Sequence, residues 1–387
     1  MQRNSIVRSK VTISNKVFSS IMILSTVMIS ACSQAQQSPQ ENAQQEAGQA
    51  TQANEGQSTC LEVSLTGTMG GPSIFNGLAG SGTLVKYGSV DSGCSDVMLQ
   101  FDAGRGTAIR LSELGVGVNQ LDGVFITHMH SDHTVGLVDI MQTRWHFFGK
   151  PLDLVCSADK QAAKPTPRTL SCDNFGKHIA DAALQSGEVA QRSAESNKRD
   201  SAGPSSMVNF IAVESGADNA PAEVWSSGDV SVVAVASKHI PGHLSYRVNT
   251  PQGSVVIGGD AGNDVVSPPR PNSTSAAVEA LAQDADVLVH STMHPVFSPD
   301  GGSTFPAKIF YRQSTAGDLG ALSKRANVAN LMLTHMIPPI GAKSVGPYKV
   351  PGGALTEADY EKAVAESDYQ GKVYVGKDKL TLRLPAN

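Results

Sequence analysis

Charged residues are scarce in this sequence, and so are cysteines. Aspartate, glutamate, lysine and arginine make up 17% of the chain, and the formal net charge is -5 at pH 7. An acidic balance offers no basic footprint for nucleic acid, and so little charge together with 37 glycines excludes a coiled coil or a disordered chain. The composition favours a turn-rich α/β protein, and 387 residues suffice for one large domain with tails.

The first residues have the pattern of a secretion signal. A basic segment precedes the apolar stretch Val17 to Ile29, which is too short for a transmembrane helix, and the small residues before Cys32 form a cleavage site. The positive charges of this segment are Arg3, Arg8, Lys10 and Lys16. We therefore expect residues 1–32 to be a signal peptide and the mature protein to be exported.

The run Ile29 to Cys32 resembles a bacterial lipobox, in which the cysteine is lipidated and becomes the mature N-terminus. A lipid on Cys32 would anchor the protein in the cell envelope, and Ser33 predicts sorting to the outer membrane of a two-membrane bacterium. Ile29 departs from the usual leucine, so cleavage by an ordinary signal peptidase is the alternative. Residues 33–58 are rich in glutamine, alanine and asparagine, which predicts a disordered tether.

Four cysteines follow Cys32, an even number for an oxidising compartment. None has the CxxC spacing of a metal site. Of the three pairings that four cysteines allow, we favour Cys60 with Cys94 and Cys156 with Cys172, because each pair brackets a short excursion. Four free, buried thiols are the alternative.

Short runs rich in valine, isoleucine and leucine predict buried strands. They are Leu61 to Leu65, Thr83 to Tyr87, Val97 to Phe101, Val124 to Ile126, Leu152 to Val155, Ser231 to Ala236, Ser254 to Ile257, Val287 to Val289 and Leu331 to Leu333. Helical patterns cover Val135 to His146, Ser275 to Gln283, Thr315 to Arg325 and Glu357 to Ser367. This order allows two sheets flanked by helices or one doubly wound sheet. The polar stretch at about 165–228 predicts an inserted surface excursion or lid within a domain of residues 59–387.

A dense group of metal-binding side chains follows the strand Val124 to Ile126. The run His128 to His133 reads HMHSDH and contains three of the ten histidines together with Asp132. Histidine and aspartate supply nitrogen and oxygen ligands suited to zinc or its divalent neighbours. Because the run begins where a buried strand ends, one loop could serve more than one metal ion.

The HxHxDH pattern resembles the signature of the metallo-β-lactamase superfamily. The surrounding stretches resemble the branch that contains ribonuclease Z and arylsulfatase-like hydrolases, and the resemblance covers most of residues 60–340. Those stretches are TGTMGGPS, SGTLVKYG, LQFDAGRGTAIRL, VFITHMHSDHTVGL and QTRW. The resemblance implies a four-layer αββα sandwich and a hydrolase that uses two divalent metal ions, with Zn²⁺ the first expectation.

The resemblance also assigns ligands to the two metals. His128 and His130 would bind the first metal, and Asp132 with His133 the second. The family's next motif places a ligand histidine seven residues before a Tyr-Arg pair. His239 has that spacing to Tyr246 and would complete the first site.

Later motifs supply the remaining ligands. Asp260 follows a buried strand and two glycines, and we expect its carboxylate to bridge the metals, whereas Asp264 fits a turn or helix cap. His335 corresponds to the family's last ligand, for the second metal. Asp102 corresponds to the acid that orients a ligand imidazole. His243 lacks the ligand spacing and is expected near the mouth of the site or as a turn histidine.

The chain departs from the family at the proton donor. Ribonuclease Z proteins have His-Ser-Thr where this chain has Gln313, Ser314 and Thr315. A glutamine cannot act as a general acid near pH 7, although it can donate a hydrogen bond to a substrate oxygen. Our candidate catalytic residues are therefore Asp132, which would orient the attacking water, Gln313, and His294 as a substitute acid.

Two further residues bear on proton transfer. His243 and Tyr246 are second choices for the acid, after His294. The family's Val-His-Glu reads Val289, His290 and Ser291 here, which weakens a second proton-transfer element.

The sequence supports one main hypothesis and two rivals. The main hypothesis is an exported, lipid-anchored dinuclear zinc hydrolase of small-molecule esters, with phosphodiesters or aryl sulfates first. A missing Gly/Pro-rich arm, the absent histidine, the acidic charge and the export signal disfavour nucleic acid as substrate. The rivals are a lactone or β-lactam hydrolase, and a metal- or ligand-binding lipoprotein that has lost turnover. A homodimer is left open.

Overall fold

A computed structural model describes residues 58–162, 168–214 and 220–385. The predicted signal peptide, the lipobox Cys32 and nearly all of the predicted tether lie outside these residues. Within the described ranges, no helix is long and apolar enough to cross a membrane.

The described residues contain eighteen strands. In chain order they are β1 (Thr59–Gly67), β2 (Gly82–Ser89), β3 (Val97–Phe101), β4 (Gly123–Phe125), β5 (Leu152–Ser157), β6 (Lys160–Gln161), β7 (Thr169–Leu170), β8 (Val208–Val213), β9 (Ala222–Ser227), β10 (Val230–Ala236), β11 (Leu244–Thr250), β12 (Gly253–Ile257), β13 (Val287–Met293), β14 (Asn330–Ile337), β15 (Ser344–Val345), β16 (Tyr348–Lys349), β17 (Lys372–Val375) and β18 (Thr381–Leu384). All nine predicted strands are present, several of them longer than predicted.

Nine α-helices lie in the same described ranges. They are α1 (Thr107–Glu113), α2 (Ser131–Thr134), α3 (Leu137–His146), α4 (Cys172–Gln185), α5 (Glu188–Glu195), α6 (Ala276–Leu281), α7 (Ala307–Phe310), α8 (Ala316–Arg325) and α9 (Glu357–Ala365). The four predicted helices correspond to α3, α6, α8 and α9.

The strands form two seven-stranded sheets with the same pattern of pairing. The first sheet has the order β18-β1-β2-β3-β4-β5-β8, and the second has the order β17-β14-β13-β12-β11-β10-β9. In each sheet three neighbouring pairs are antiparallel and three are parallel. Parallel strands end at the same edge of a sheet, so the loops that follow them can meet there.

The two sheets pack face to face and helices cover their outer faces. Phe101 and Phe125 of the first sheet stack with ring centroids 4.8 Å apart, and Tyr246 of the second sheet meets Phe125 edge-on at 5.7 Å. Full burial of a large apolar side chain contributes about 1.5–3 kcal/mol. The helices bury Leu111, Ile140 and Ile179 on the first sheet, and Leu281, Leu319 and Tyr360 on the second. The predicted αββα sandwich is confirmed.

Two disulfides connect the cysteines in the predicted pairs. Cys60 of β1 is bonded to Cys94, with Cα atoms 5.2 Å apart, and Cys156 of β5 is bonded to Cys172 at the start of α4, with Cα atoms 6.4 Å apart. Both bridges belong to the first sheet and its helices. The alternative of four free thiols is wrong.

The segment at about 165–228 has more structure than an excursion or lid. Its described part contains α4 and α5, and the side chain of Ser171 accepts a hydrogen bond from the Asn174 N–H at the beginning of α4. Strand β8 extends the first sheet beside β5, and β9 extends the second beside β10. Within these described residues, none lines the cleft that holds the candidate site.

Candidate metal centre

The motif HMHSDH lies at the transition from β4 to α2. Strand β4 is buried and central in the first sheet, and His130 is the residue before the first turn of α2. Asp132 and His133 lie in that turn. The chain therefore passes from the end of a strand into a helical turn within a few residues. This change of backbone direction brings several side chains of one short run to the same edge of the sheet.

The second sheet directs three more donors to this edge. His239 follows β10, Asp260 follows β12, and His335 lies near the end of β14. His335 occupies a β-bulge, because Thr334 pairs with Ser291 and Met336 with the next residue of β13. Its φ of 45° is in the left-handed region, which is strained for a residue with a side chain and recurs at functional sites.

The first predicted ligand group is assembled around His130. Ligand atoms of His128, His130 and His239 all lie within 4.8 Å of one another. The Nε2 atom of His128 is 2.8 Å from Nδ1 of His130, and Nε2 of His239 is 3.4 Å from the same nitrogen. Three imidazole nitrogens thus converge on one small volume.

The second group is formed by Asp132, His133 and His335, whose ligand atoms meet the same distance limit. Nε2 of His335 is 3.1 Å from Oδ2 of Asp132. Asp260 lies between the groups, since its carboxylate oxygens are 3.6 Å from Nε2 of His133, 3.7 Å from Nε2 of His239 and 3.4 Å from Nε2 of His335. The structure brings all seven predicted ligands together.

Three buried atoms of this cluster lack any hydrogen-bond partner in the described part of the chain. They are Nδ1 of His335, and Nε2 of His133 and Oδ1 of Asp260, which face each other. His133 and Asp260 are almost fully buried, with relative exposures of 0% and 2%. Leaving a buried nitrogen and a carboxylate oxygen unpaired is costly, whereas both are ordinary ligands of a divalent cation. The donor set therefore fits metal ions.

The electrostatics of the cluster keep its carboxylates ionised. Burial alone would raise the pKa of Asp132, but the hydrogen bond with His335 and the charge of His133 hold it at about 2. The pKa of Asp260 likewise lies well below its ordinary value, because the neighbouring His335 and His133 outweigh burial. Burial lowers the pKa of His239 to about 3, so this imidazole is neutral at pH 7. Ionised carboxylates and neutral imidazoles are the forms that bind metals.

Two histidines have the opposite behaviour. Burial would lower the pKa of His133, but Asp102 and Asp260 raise it well above the ordinary value. The pKa of His335 is raised in the same way by Asp260 and Asp132, against burial. Cation binding at these imidazoles would therefore release protons.

Asp102 orients one of the predicted ligands, His133, through a hydrogen bond. Its Oδ2 atom accepts a hydrogen bond from Nδ1 of His133 at 2.7 Å, and its Oδ1 atom accepts one from the backbone N–H of Thr127 at 2.8 Å. The carboxylate thereby leaves Nε2 of His133 to face the cluster. This is the orienting position that the sequence predicts for Asp102.

The cluster forms the floor of a cleft of about 400 Å³. One wall is apolar, and Arg312 and Gln313 lie beside the floor. The apolar residues include Phe305, Ile309, Ile337, Val345 and Tyr348. Tyr348 belongs to a hairpin with a two-residue turn, in which Gly346 adopts a φ of 55° as such a turn requires. Sequence reasoning identified Gln313 but missed the apolar residues and Arg312, although Arg312 directly precedes Gln313.

Comparisons with known proteins agree with this geometry. The chain is 26% identical over 322 residues to a ribonuclease Z of Mycobacterium bovis, which covers 82% of this chain and 96% of the relative. Residues 92–164 match the family described as Anti-Pycsar protein Apyc1. The metallo-β-lactamase fold protein YhfI of Bacillus subtilis superposes with a TM-score of 0.52 at 16% identity, over 84% of this chain and 99% of that one.

This chain has the metallo-β-lactamase fold. The short form of human tRNase Z is similar too, with a TM-score of 0.52 and 15% identity over 84% of this chain and 99% of that one. The predicted relationship to ribonuclease Z-like proteins and the predicted class, a metal-dependent hydrolase, are confirmed. The names of these relatives do not support the expectation that nucleic acid is excluded as a substrate.

His294 is not placed as a substitute acid of this metallo-β-lactamase-fold hydrolase. Its Nδ1 atom accepts a hydrogen bond from the Val296 N–H at 3.1 Å, and its Nε2 atom is 3.4 Å from the carbonyl oxygen of Asp359. The ring packs edge-on against Tyr360 with centroids 5.0 Å apart, and it does not line the cleft. Both nitrogens are engaged with backbone, so the prediction for His294 is corrected.

The second-choice acids are also engaged elsewhere. His243 is 1% exposed and lies behind the cluster, not at its mouth, where its Nε2 atom accepts a hydrogen bond from the Asp260 N–H at 3.0 Å. The Tyr246 hydroxyl donates to the carbonyl oxygen of Ile126 at 2.7 Å. His290 is buried with Nδ1 on the Ser291 carbonyl, 2.7 Å away. Each of these three side chains forms a hydrogen bond with a backbone group near the site.

Gln313 lies where the family pattern has histidine. It is 3% exposed, lines the cleft, and its Nε2 atom donates to Oδ2 of Asp260 at 3.4 Å. Asp264, in contrast, is exposed, which agrees with its interpretation as a turn residue. The floor of the cleft thus holds all seven predicted ligands, while an amide occupies the position at which the resemblance leads us to expect a proton donor.

Proposed function

We propose that this protein is an exported dinuclear zinc hydrolase of small anionic esters, with phosphodiesters and aryl sulfates as the first candidates. One observation supports it most: seven donor side chains from both sheets converge in two groups that share Asp260, at the floor of an open cleft. Two-metal hydrolases are built from such shared-carboxylate clusters.

In this proposal each residue of the floor has a defined task. His128, His130 and His239 would hold the first cation, and Asp132, His133 and His335 would hold the second. Asp260 contacts members of both groups and would serve both. Cations bound there would lower the pKa of water towards neutrality and balance negative charge that develops on the substrate.

The chemistry that remains for the protein is positioning. Asp132 lines the cleft as a carboxylate and accepts a hydrogen bond from the attacking water, which orients it. The water oxygen bonds to phosphorus or sulfur while the bond to the ester oxygen breaks, and the water proton passes to solvent. Gln313 keeps Asp260 oriented and cannot protonate the leaving group.

The absence of an acid at Gln313 bears on the substrate. An alkoxide leaves poorly without a proton, whereas a phenolate leaves unprotonated. We therefore place aryl esters of phosphate and sulfate before alkyl esters, and lactones after both. RNA belongs in the assay because the curated relatives are named ribonuclease Z.

Location and assembly are part of the proposal. Two disulfides support an oxidising compartment. Together with the basic and apolar pattern before Cys32, they support export and anchoring through a lipid on Cys32 in the bacterial envelope, with the enzyme on a tether. A homodimer remains compatible with this arrangement.

The test is one parallel assay. Zinc-loaded protein is measured against a bis-aryl phosphate, an aryl sulfate, a lactone, a β-lactam and a structured RNA, before and after chelation. We expect turnover of the first two, loss on chelation and recovery with zinc. Turnover confined to the lactone, the β-lactam or RNA would replace the proposed substrate.

A second candidate function rests on Gln313. A protein that binds two zinc ions but has lost turnover would keep the floor of the cleft and lack the acid. Native mass spectrometry that shows two zinc ions, with no hydrolysis of any of the five substrates, would favour this binding protein over the enzyme.

A further inference from the structure

Arg312 lies at the edge of the metal centre, and no partner for its Nε atom is present in the described part of the chain. Its side chain lines the cleft, and the Nε atom is buried. No carboxylate in those described residues pairs with its guanidinium. A guanidinium carries five donors in a planar fork, and desolvating them without an acceptor is costly.

Two other arginines, the buried Arg144 and the partly buried Arg110, have their guanidinium groups fully engaged. The guanidinium of Arg144 donates to the carbonyl oxygens of Val118, Leu121 and Lys150. Arg110 forms an ion pair with Asp378 at 2.8 Å. Arg312 differs from both, because its buried Nε atom has no acceptor among the described residues. A ligand bound in the cleft could supply that acceptor.

The position of Arg312 relative to the metal centre is fixed. Its carbonyl oxygen is 3.3 Å from Nδ1 of His239, a member of the first ligand group. The backbone of Arg312 also packs against Gly262, where a Cβ atom would come within 2.6 Å of the Arg312 carbonyl oxygen. The backbone of Arg312 is therefore held beside the first ligand group, and the residue lines the cleft into which a substrate would bind.

Other residues that line the cleft have a different chemistry. Phe305 and Tyr348 contribute two aromatic rings whose centroids are 5.4 Å apart, and Ile309 and Ile337 extend this apolar wall. A cleft of about 400 Å³ has the size of a small-molecule site. It offers a cation at one position and an aromatic surface at another, and so matches a ligand that is anionic at one end and flat and apolar at the other.

We propose that Arg312 is a specificity-determining residue that selects anionic aryl esters over neutral esters of the same leaving group. This inference rests on the proposed function and names its substrate class: a tetrahedral oxyanion of phosphorus or sulfur joined to an aromatic group. The guanidinium donates a pair of hydrogen bonds to the non-bridging oxygens, and the wall formed by Phe305 and Tyr348 receives the ring.

The test compares two substrates that share one leaving group. Bis(4-nitrophenyl) phosphate is anionic and 4-nitrophenyl acetate is neutral, and both release 4-nitrophenolate. In zinc-loaded R312Q we expect kcat/KM for the phosphate to fall about tenfold or more, and kcat/KM for the acetate to change by no more than about twofold. R312K should keep part of the selectivity, because it retains the charge but loses the planar fork.

A matched control removes a neighbouring charge outside the cleft. Lys308 is exposed on α7 and does not line the cleft, so K308Q should leave both kcat/KM values unchanged. Equal losses for the phosphate and the acetate in R312Q would overturn the inference. Circular dichroism and Tm of each variant identify a folding defect, in which case R312K carries the comparison.

A binding measurement separates this inference from the proposed function. Phenylphosphonate has the charge and the ring but no ester bond to cleave, and its Kd for the zinc-loaded protein is measured by calorimetry. We expect R312Q to raise this Kd about tenfold and K308Q to leave it unchanged. An unchanged Kd in R312Q, or no binding by the wild type, would overturn the inference. If phenylphosphonate binds through Arg312 while no ester is hydrolysed, only the proposed function fails.

Discussion

The two sheets contribute to the metal centre in different ways. The first sheet supplies four donors from a single run, His128 to His133, whereas the second supplies His239, Asp260 and His335 from three separate strand ends. The first set is fixed by local geometry at one strand-to-helix transition. The second depends on the order of strands in the sheet, in which antiparallel β11 lies between β10 and β12 and two parallel crossovers lead from β12 to β14. The HMHSDH run could therefore keep its local geometry without the second sheet. The full set of seven donors requires both sheets.

The most direct way to break this comparison is to remove the shared carboxylate. Asp260→Asn keeps the shape of the side chain but removes the charge that both ligand groups contact. We expect kcat/KM to fall at least about a hundredfold, corresponding to several kcal/mol of lost transition-state stabilisation, and native mass spectrometry to show less than two bound zinc ions.

The control for Asp260→Asn lies four residues further along the chain. Asp264 is exposed, so Asp264→Asn should leave both zinc content and kcat/KM unchanged. Full activity with two zinc ions in the Asp260→Asn protein would contradict the assignment of the bridging ligand.

The two sheets also differ in covalent cross-links, which contribute to the free energy of unfolding. Both lie in the first sheet and its helices, so the sheet that carries the contiguous motif is the one that is cross-linked. Replacing both members of Cys60–Cys94 or of Cys156–Cys172 by serine should lower the free energy of unfolding by roughly 2–4 kcal/mol. The Cys60–Cys94 pair closes the longer loop, 34 residues against 16, and is expected to have the larger effect.

The disulfide prediction is measured by urea unfolding of each double variant. Reduction of the wild type should reproduce the sum of the two losses. A wild-type midpoint that does not change on reduction would show that the bridges do not stabilise this domain.

Loss of Asp102, which orients a ligand, should weaken zinc binding less than loss of a ligand itself. Asp102 holds His133 through Nδ1, so Asp102→Asn should weaken zinc binding about 10- to 100-fold while the seven donors remain. Competition with a chelator of known affinity measures this. Asp122 directly precedes β4 and provides a control, because its Oδ2 atom accepts a hydrogen bond from the Met98 N–H at 2.8 Å and it is not one of the seven donors. Asp122→Asn that weakened zinc binding equally would refute a specific role for Asp102.

The smallest effect is expected at the beginning of α9, which packs on the second sheet. Thr356 and Asp359 form a capping box, in which the Thr356 N–H and hydroxyl each donate to Oδ2 of Asp359 at 2.7 Å. These bonds lower the pKa of Asp359. A lowered pKa gives stability that is present above the ordinary value of 3.8 and is lost as the pH falls through the lower, folded value.

Thr356→Ala therefore tests the cap through pH. We expect Tm to fall by about 1–2 °C at pH 7, and the difference from the wild type to shrink below pH 3.8. A difference that stays constant across this range would show that Asp359 takes no part in the cap.

Sequence reasoning located most of the structure for identifiable physical reasons. Buried runs such as Val287 to Val289 and the helical pattern before Arg325 are local signals, and they recur as β13 and α8. HMHSDH is contiguous, and His239 was identified by its spacing to Tyr246. The disulfide pairs were chosen from loop length alone, and the structure has the same pairs.

The errors concern the directions of side chains. His294 follows a strand that ends at the correct edge, but its ring turns back to cap a short 3₁₀ helix, Pro295–Phe297, by accepting the Val296 N–H. His243 does not line the mouth of the cleft, because its buried ring accepts a hydrogen bond from the Asp260 N–H. Among the described residues, no neighbouring element offers an acceptor to Nε of Arg312. Because those elements are distant in the sequence, no local pattern predicts this.

The hydrogen bond from the Tyr246 hydroxyl to the Ile126 carbonyl has a consequence for how the centre responds to stress. It ties the second sheet to the backbone two residues before His128, so the sheets cannot slide past one another without disturbing the motif. A cation held by both sheets would act in parallel with this bond. Loading with zinc should then slow amide hydrogen exchange in β4 and β11 together, as one cooperative unit, and not in the loop alone.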